Sequence, residues 1–176
     1  MIVAIDFGIT NTDVALSNKS QYKFFSMPSK NANESFIDEI ISLIDIDITE
    51  ISQIVVTGGK SNELNESFKG VNLTKISETD AIGYGTKEIY KIENEPFITL
   101  SCGTGTACIH HQDGQFSYIG GIAVGGGTIS GLSKAILDSS SLEEITDLAL
   151  KGNRKNIDLL IGDVVNEIGI LNSNVT

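Results

Sequence analysis

Two short glycine- and threonine-rich segments, each lying between two apolar runs, constrain the fold of this 176-residue chain more than any other feature. The first reads Asp6-Phe7-Gly8-Ile9-Thr10-Asn11-Thr12-Asp13 and follows an apolar run at residues 2–5. The second reads Gly103-Thr104-Gly105-Thr106 and follows residues 97–101. Glycine permits a tight turn, and the backbone amides and hydroxyls of such a turn can bind an anion. The pattern therefore predicts two strand–turn–strand units, although either segment taken alone is also typical of an ordinary hairpin.

The remaining pattern predicts an α/β protein made of two related halves. Apolar residues at spacings of three and four predict a helix capped by Asn33, and a second helix is predicted to begin at Ser77. The order β-β-β-α-β-α followed by β-β-β-α indicates an N-terminal subdomain at residues 1–95 and the beginning of a second subdomain at residues 96–176. Because the second half has only three strands, we expect this chain to be truncated.

Local patterns also predict which side chains are buried. The second helix is expected to direct Ala81, Tyr84 or Gly85, Ile89 and Ile92 inward. A later helix, expected to begin at Thr128, would do the same with Ile129, Leu132 and Ile136. The two cysteines, Cys102 and Cys108, form neither a disulfide framework nor a metal quartet, and we expect them to be small buried side chains.

Charge and hydropathy limit the classes of partner. The formal net charge of −11 makes a nucleic-acid partner unexpected, because binding to phosphate backbones requires a basic surface. No apolar run approaches the roughly 20 residues of a membrane span, and the N-terminus lacks the basic region of a signal peptide. We therefore expect a cytoplasmic protein with no membrane partner.

Two further features are candidates for phosphate chemistry. The segment Gly125-Gly126-Gly127-Thr128 precedes a helix, where unpaired amides and the helix dipole favour a phosphate; a flexible cap is the alternative. Glu78 is a candidate catalytic carboxylate, but an acid at the start of a helix also stabilises the helix by about 0.3–1 kcal/mol. Asp80 competes with Glu78 for any catalytic role, and the sequence does not separate the two.

Together these segments resemble type II pantothenate kinases, a family within the actin, hexokinase and sugar-kinase ATPase superfamily. The resemblance runs along the whole chain: residues 6–13 and 103–106 match the two phosphate motifs, and residues 77–83 match the catalytic-acid segment. Its most specific parts are the glycine stretch at residues 119–128 and the following Leu148-Ala149-Leu150-Lys151-Gly152-Asn153-Arg154.

The resemblance implies a ribonuclease H-like (actin-like ATPase) fold with two related subdomains, the second of them incomplete. It implies ATP-dependent phosphorylation of pantothenate, or of a related pantetheine compound, as the first step of coenzyme A biosynthesis by a cytoplasmic homodimer. Glu78 is the implied general base, and Asp6 is implied to lie near Mg²⁺. The implied nucleotide-binding residues are Asp6, Phe7, Gly8, Ile9, Thr10, Asn11, Thr12, Asp13, Thr104, Gly126, Gly127, Thr128, Ile129 and Ser130.

Two positions depart from the family pattern. Asp13 stands where much of the family has a lysine, and Tyr118 stands where well-studied members have a substrate-binding arginine. These departures keep open a second function, that of an ATP-binding regulatory pseudokinase. A further alternative keeps the fold and changes the reaction: an ATPase of the type that activates acyl-CoA dehydratases, although Cys102 and Cys108 are wrongly placed for the iron–sulfur cluster of that class. We expect the 176-residue chain alone to be inactive or very weakly active.

Overall fold

The structure is a computed structural model that describes residues 1–18 and 21–165. Contacts between residues divide the chain into two compact units, Met1–Thr128 and Ile129–Thr176. The subdomain boundary expected at residue 95 concerns the family's two halves, and it stays a prediction.

The chain forms the following strands and helices. The strands are β1 (Ile2–Phe7), β2 (Asn11–Asn18), β3 (Gln21–Pro28), β4 (Gln53–Thr57), β5 (Ser67–Phe68), β6 (Val71–Lys75), β7 (Phe97–Cys102), β8 (Thr106–Gln112) and β9 (Gln115–Ile122). The helices are α1 (Glu34–Leu43), α2 (Glu78–Tyr90), α3 (Gly126–Leu137), α4 (Leu142–Lys151) and α5 (Ile161–Val164). Short 3₁₀ turns lie at Ile48–Glu50, Ser61–Glu63 and Arg154–Asn156.

The first six strands form one sheet in the order β3-β2-β1-β4-β6-β5. β1 pairs antiparallel with β2 and parallel with β4, so that Asp6 lies beside Asp13 on one side and Thr57 on the other. The sequence pattern did not predict β6, in which polar residues alternate with Val71 and Leu73. That strand is established by parallel pairing with β4, which places Leu73 beside Ile54.

Helix α1 covers one face of this sheet and builds the core of the protein. The helix begins where predicted, because the Asn33 side chain accepts a hydrogen bond from the Phe36 amide at 2.9 Å. Phe36, Ile37, Ile40 and Ile41 are buried, and they lie in one cluster with the inward side chains of the strands. Burying each such side chain contributes about 1.5–3 kcal/mol.

The strands β7, β8 and β9 form a second, antiparallel sheet, and α2 packs against it. Gly83 is the buried residue of α2, and a Cβ there would overlap the Phe116 ring of β9. Ile89 is 74% exposed, so the expectation that it faces inward is wrong. Tyr84 is 62% exposed, but its ring packs edge-on against Phe116 of β9, with the ring centroids 4.8 Å apart.

The glycine segment begins α3 at Gly126, two residues before the predicted start. Ile129, Leu132 and Ile136 are 52%, 57% and 76% exposed, so the predicted inward face is also wrong. Across residues 1–18 and 21–165, none of the helices has the length and hydropathy that a bilayer span requires.

Candidate functional site

The first turn connects β1 to β2, and Ser29 stabilises it through hydrogen bonds. A Cβ on Gly8 would lie 2.5 Å from the Asn11 carbonyl oxygen, so the turn closes only with glycine at this position. The Ser29 hydroxyl donates to the Gly8 carbonyl at 2.5 Å, and the Ser29 amide donates to the Thr10 carbonyl at 3.0 Å. The first turn therefore has two of its carbonyl groups directed toward the end of β3.

The second turn connects β7 to β8 and is held by the start of α3. The Gly126 amide donates to the Gly103 carbonyl at 2.8 Å, and the Gly127 amide donates to the Thr104 carbonyl at 3.1 Å. A Cβ on Gly125 would lie 2.7 Å from the carbonyl oxygens of Gly105 and Thr104. The glycines predicted to bind phosphate through a helix start thus use two of their amides to hold the second turn.

The two turns meet through their threonine side chains. The hydroxyl oxygens of Thr10 and Thr104 lie 2.9 Å apart, although 94 positions separate the two residues in the sequence. Both hydroxyls are exposed, so an anion can reach them from solvent. The structure therefore brings together the two segments that the sequence singled out.

Carboxylates flank the first turn. Partial burial raises the pKa of the Asp6 carboxyl, and the negative charges of Glu78 and Asp13 raise this pKa further. Gly58, with φ of 72°, lies against Asp6, and a Cβ there would overlap the Asp6 Oδ1 atom. Asp6, Asp13 and Glu78 thus share one acidic region at the end of β1.

The cap of α2 distinguishes Glu78 from Asp80. The Ser77 hydroxyl accepts from the Asp80 amide at 3.0 Å and donates to the Asp80 carboxylate at 2.6 Å. Asp80 is therefore engaged in the helix cap. Glu78, the first residue of α2, is exposed and close enough to raise the pKa of Asp6. The structure thus favours Glu78 over Asp80 as the carboxylate that faces the site.

The donor set fits a magnesium ion bound together with a phosphate ligand. Among the residues that the structure describes, no group of three or more His, Cys, Asp or Glu is arranged to hold a metal ion. At phosphate sites Mg²⁺ commonly takes one or two protein carboxylates, and phosphate and water oxygens complete the coordination. Asp6 and its cross-strand neighbour Asp13 supply ligands of this kind.

Several predicted nucleotide-binding residues use their side chains elsewhere. Phe7 is 2% exposed and packs against Phe36, and Thr12 is fully buried with its hydroxyl 3.1 Å from Ser29. Ile9 is 83% exposed at the tip of the first turn. The side chains of Phe7 and Thr12 therefore support the turn, and only their backbone could face a ligand.

Four predicted residues stand apart from these. Asn11 begins β2 and is exposed, and Thr128 donates its amide to the Gly125 carbonyl at 3.1 Å. Ile129 and Ser130 continue α3 in the second unit, and their nucleotide contacts stay predictions.

The sequence reasoning missed Ser29 and Gly58. Ser29 lies 21 positions from Gly8, so no local pattern marks it as a neighbour. The Gly58-Gly59 pair was visible in the sequence as the end of a strand, but its contact with Asp6 depends on the parallel pairing of β1 with β4.

The cysteines are not buried as predicted. Cys102 is exposed and Cys108 is half-buried. Cys108 pairs with Leu100, which is 66% exposed, on the sheet face turned away from α2. Since nothing among the described residues covers this face, small size alone does not bury them.

A cavity of about 560 Å³ lies on the face of the first sheet opposite α1. Its lining is mainly apolar and includes Ala4, Ala15, Phe24 and Val55. Asp6 and Asp13 also belong to it. An apolar surface of this kind does not suit a triphosphate, so the contact between the two turns, and not this cavity, defines the candidate nucleotide site.

Comparisons with known proteins find relatives along most of the chain. The Fumble family model matches residues 9–174. A type II pantothenate kinase from Bacillus anthracis is 33% identical over 168 residues, which cover 92% of this chain and 58% of that protein. The chain therefore spans less than two thirds of the length of this curated relative.

Solved structures share the fold at low sequence identity. The activator of the 2-hydroxyisocaproyl-CoA dehydratase from Clostridium difficile matches with a TM-score of 0.60 at 16% identity, over 86% of this chain and 57% of that one. A ROK family protein from Streptococcus pneumoniae matches with a TM-score of 0.51 at 16% identity, over 86% and 68%. These likenesses confirm the expected actin-like ATPase fold.

Proposed function

The chain belongs to the Fumble family, and on that premise we propose that the protein transfers the γ-phosphoryl group of ATP to the hydroxyl of pantothenate. The product is 4'-phosphopantothenate, in the first step of coenzyme A biosynthesis. The observation that carries the proposal is the contact between Thr10 and Thr104, since it joins two phosphate-binding turns beside an acidic region. The relatives named as type II pantothenate kinases support the choice of acceptor.

The two turns are the proposed nucleotide site. Their backbone amides and the hydroxyls of Thr10 and Thr104 supply donors for phosphate oxygens. The start of α3 contributes through the second turn, which its Gly126 and Gly127 amides hold in place. This arrangement would let the protein orient a triphosphate mainly through backbone amides and hydroxyls, which are neutral donors in a chain of net charge −11.

A magnesium ion is the proposed counter-charge, with Asp6 as its protein ligand and Asp13 beside it. When bound with ATP, Mg²⁺ neutralises charge on the phosphate oxygens. The raised pKa of Asp6 supports this assignment, because a cation would relieve the repulsion among Asp6, Asp13 and Glu78.

Glu78 is the proposed general base. Its carboxylate would accept the proton of the acceptor hydroxyl as that oxygen attacks the γ-phosphorus and the bond to the β-phosphate oxygen breaks. Phosphoryl transfer depends mainly on alignment and charge neutralisation, so one positioned carboxylate suffices as proton acceptor. The exposed position of Glu78 at the start of α2 leaves it accessible to a substrate.

The experiment is a kinetic comparison of Glu78→Gln with Asp80→Asn in the intact protein. We expect Glu78→Gln to lower kcat by about 10²–10⁴ because it removes the proton acceptor. Asp80→Asn is the matched control on the same helical turn, and we expect it to lower kcat less than tenfold. A Glu78→Gln variant that folds and loses less than tenfold in kcat would return Glu78 to the role of a helix-start acid.

The same assay separates the other candidates. The regulatory pseudokinase is the alternative suggested by Asp13 and Tyr118, which stand where family members have cationic residues. An intact protein that binds ATP yet phosphorylates neither pantothenate nor pantetheine would favour this alternative. The dehydratase activators share the fold. A yellow-brown purified protein, indicating an iron–sulfur cluster, would favour that class.

We further propose a cytoplasmic homodimer. A kinase that sediments as a monomer would contradict the proposed dimer.

A further inference from the structure

Ser29 contacts all three defined positions of the Gly8-x-Thr10-x-Thr12 motif. Its hydroxyl donates to the Gly8 carbonyl at 2.5 Å and lies 3.1 Å from the Thr12 hydroxyl, while its amide donates to the Thr10 carbonyl at 3.0 Å. Thr12 is fully buried, which shields its contact with Ser29 from competing water.

The strand before Ser29 explains why this residue turns toward the motif. β3 ends at Pro28, which pairs with Asn11 but has no amide hydrogen to extend the ladder. The next amide, that of Ser29, bonds instead to Thr10. A small hydroxyl side chain at this position then reaches the carbonyl of Gly8.

Holding these carbonyls also sets the direction of the neighbouring amides. No cis peptide bond occurs among the described residues, and in a trans peptide the carbonyl and the following amide point in opposite directions. Because the Gly8 and Thr10 carbonyls point toward Ser29, the amides of Ile9 and Asn11 point away from it. Two amides on one side of a turn form a concave donor site for an anion.

We propose that Ser29 is a positioning residue, which holds the first turn so that the Ile9 and Asn11 amides face a nucleotide phosphate. The inference rests on the proposed function for the identity of the ligand. The hydrogen bonds themselves do not depend on that function. Ser29 acts through the turn and does not itself touch the substrate.

The experiment compares Ser29→Ala with Ser29→Thr in the intact protein. We expect Ser29→Ala to raise KM for ATP about tenfold while kcat changes less than threefold, because it weakens nucleotide binding without altering the proton acceptor. Ser29→Thr keeps the hydroxyl, and we expect it to stay within threefold of the unmodified protein. The control is Ser67→Ala, an exposed serine on β5 at the opposite edge of the same sheet, and KM should not change.

A second readout is amide hydrogen exchange, which requires no catalysis. We expect bound ADP to slow exchange at Ile9 and Asn11, and Ser29→Ala to reduce that protection about tenfold, with no change at Val55 in β4. If Ser29→Ala does not fold, Ser29→Thr and Ser29→Val, which match in size and differ in the hydroxyl, take its place in both measurements. An unchanged KM together with unchanged exchange in the variant that lacks the hydroxyl would overturn the inference.

The two proposals fail in distinguishable ways. If the protein binds ATP but does not phosphorylate pantothenate, the proposed reaction fails, and the Kd for ATP replaces KM in the same comparison. If pantothenate is phosphorylated and removal of the Ser29 hydroxyl changes neither nucleotide affinity nor turn exchange, only the role of Ser29 fails.

Discussion

The two turns of the candidate site perform the same structural task with different parts. In each turn, two carbonyl groups accept hydrogen bonds from a neighbouring segment. Ser29 donates to the carbonyls of Gly8 and Thr10, and the first amides of α3 donate to those of Gly103 and Thr104. The first turn thus depends on one side chain and its amide, and the second depends on the backbone of a helix start.

This difference explains why glycine is more frequent around the second turn. When a backbone approaches another backbone closely, there is no room for a Cβ, and a Cβ on Gly105 or Gly125 would lie within 3.0 Å of a neighbouring backbone atom. In the first turn the Ser29 hydroxyl takes the place of one backbone amide, because it donates to the Gly8 carbonyl while the Ser29 amide donates to the Thr10 carbonyl. The first turn then requires glycine at Gly8 for its own closure.

The turns also differ in charge. The strands beside the first turn carry Asp6 and Asp13, whereas the last residues before and after the second turn, Cys102 and Thr106, are neutral. Any pH dependence or cation dependence of the two turns should therefore arise at the first.

The largest effect is expected from Gly125→Ala. Its Cβ would lie 2.7 Å from backbone atoms of Gly105 and Thr104, and neither backbone can move without breaking the second turn. We expect a loss of about 3 kcal/mol in the free energy of unfolding, measured by denaturant titration. The control is Gly131→Ala in α3, where a Cβ meets nothing within 4 Å and helix propensity predicts a gain of about 0.5–1 kcal/mol. Equal effects of the two substitutions would contradict the inference that close backbone contacts hold the second turn.

Gly8→Ala should cost less, about 1–2 kcal/mol in the free energy of unfolding. Its Cβ would meet a single backbone group, the Asn11 carbonyl, and the Ser29 contacts can persist while the turn shifts. Gly103→Ala is the matched control in the second turn, because a Cβ there meets nothing within 4 Å. A larger loss for Gly8→Ala than for Gly125→Ala would reverse the contrast between the two turns.

The contact between the turns should be measurable by a double-mutant cycle of Thr10→Val and Thr104→Val. The two hydroxyls are exposed, so we expect a coupling of only about 0.5–1 kcal/mol in the free energy of unfolding. A coupling energy of zero in solution would indicate that the turns do not hold each other through these hydroxyls.

The smallest effect concerns pH. Because the pKa of Asp6 is raised in the folded protein, the folded state binds more protons than the unfolded state between the two pKa values. Stability contributed by Asp6 therefore falls as pH rises from about 3.8 through the raised pKa. We expect Asp6→Asn to stabilise the protein at pH 7 by less than about 1 kcal/mol, since solvent screens this partly exposed carboxyl, and to have no stabilising effect near pH 3.

The measurement for Asp6→Asn is thermal unfolding at both pH values, with Asp47→Asn as a comparison in which the sign differs. Bonds from Thr49 lower the pKa of Asp47, so that substitution should destabilise the protein at pH 7. A stabilisation by Asp6→Asn that is the same at both pH values would show that the carboxyl charge is not its cause.

Local chemistry explains which elements the sequence predicted well. The caps at Asn33 and Ser77 act on amides three residues away, so both helix starts were predicted correctly. β6 was missed because its pairing with β4 lies outside its own residues. The prediction for Ile89 on α2 was wrong because the helix meets the sheet at Gly83, and Ile89 is exposed. Whether a helix side chain is buried depends on the surface that the helix packs against as well as on the helix sequence.

The candidate site also has parts that the sequence predicted and parts that it did not. The sequence located both turns and the two competing carboxylates, and the cap bond between Ser77 and Asp80 then favoured Glu78. The role of Gly126 and Gly127 in holding the second turn required the structure, since a glycine-rich helix start is equally suited to bind an anion or a carbonyl.

Residues within a few positions of one another fix where the chain turns, where its helices begin and which family it resembles, so these properties can be predicted from the sequence. The contact of Ser29 with the first turn and that of Thr10 with Thr104 are found only in the folded protein. Those contacts join residues 21 and 94 positions apart, and they form because strand pairing and the burial of apolar side chains bring distant segments together.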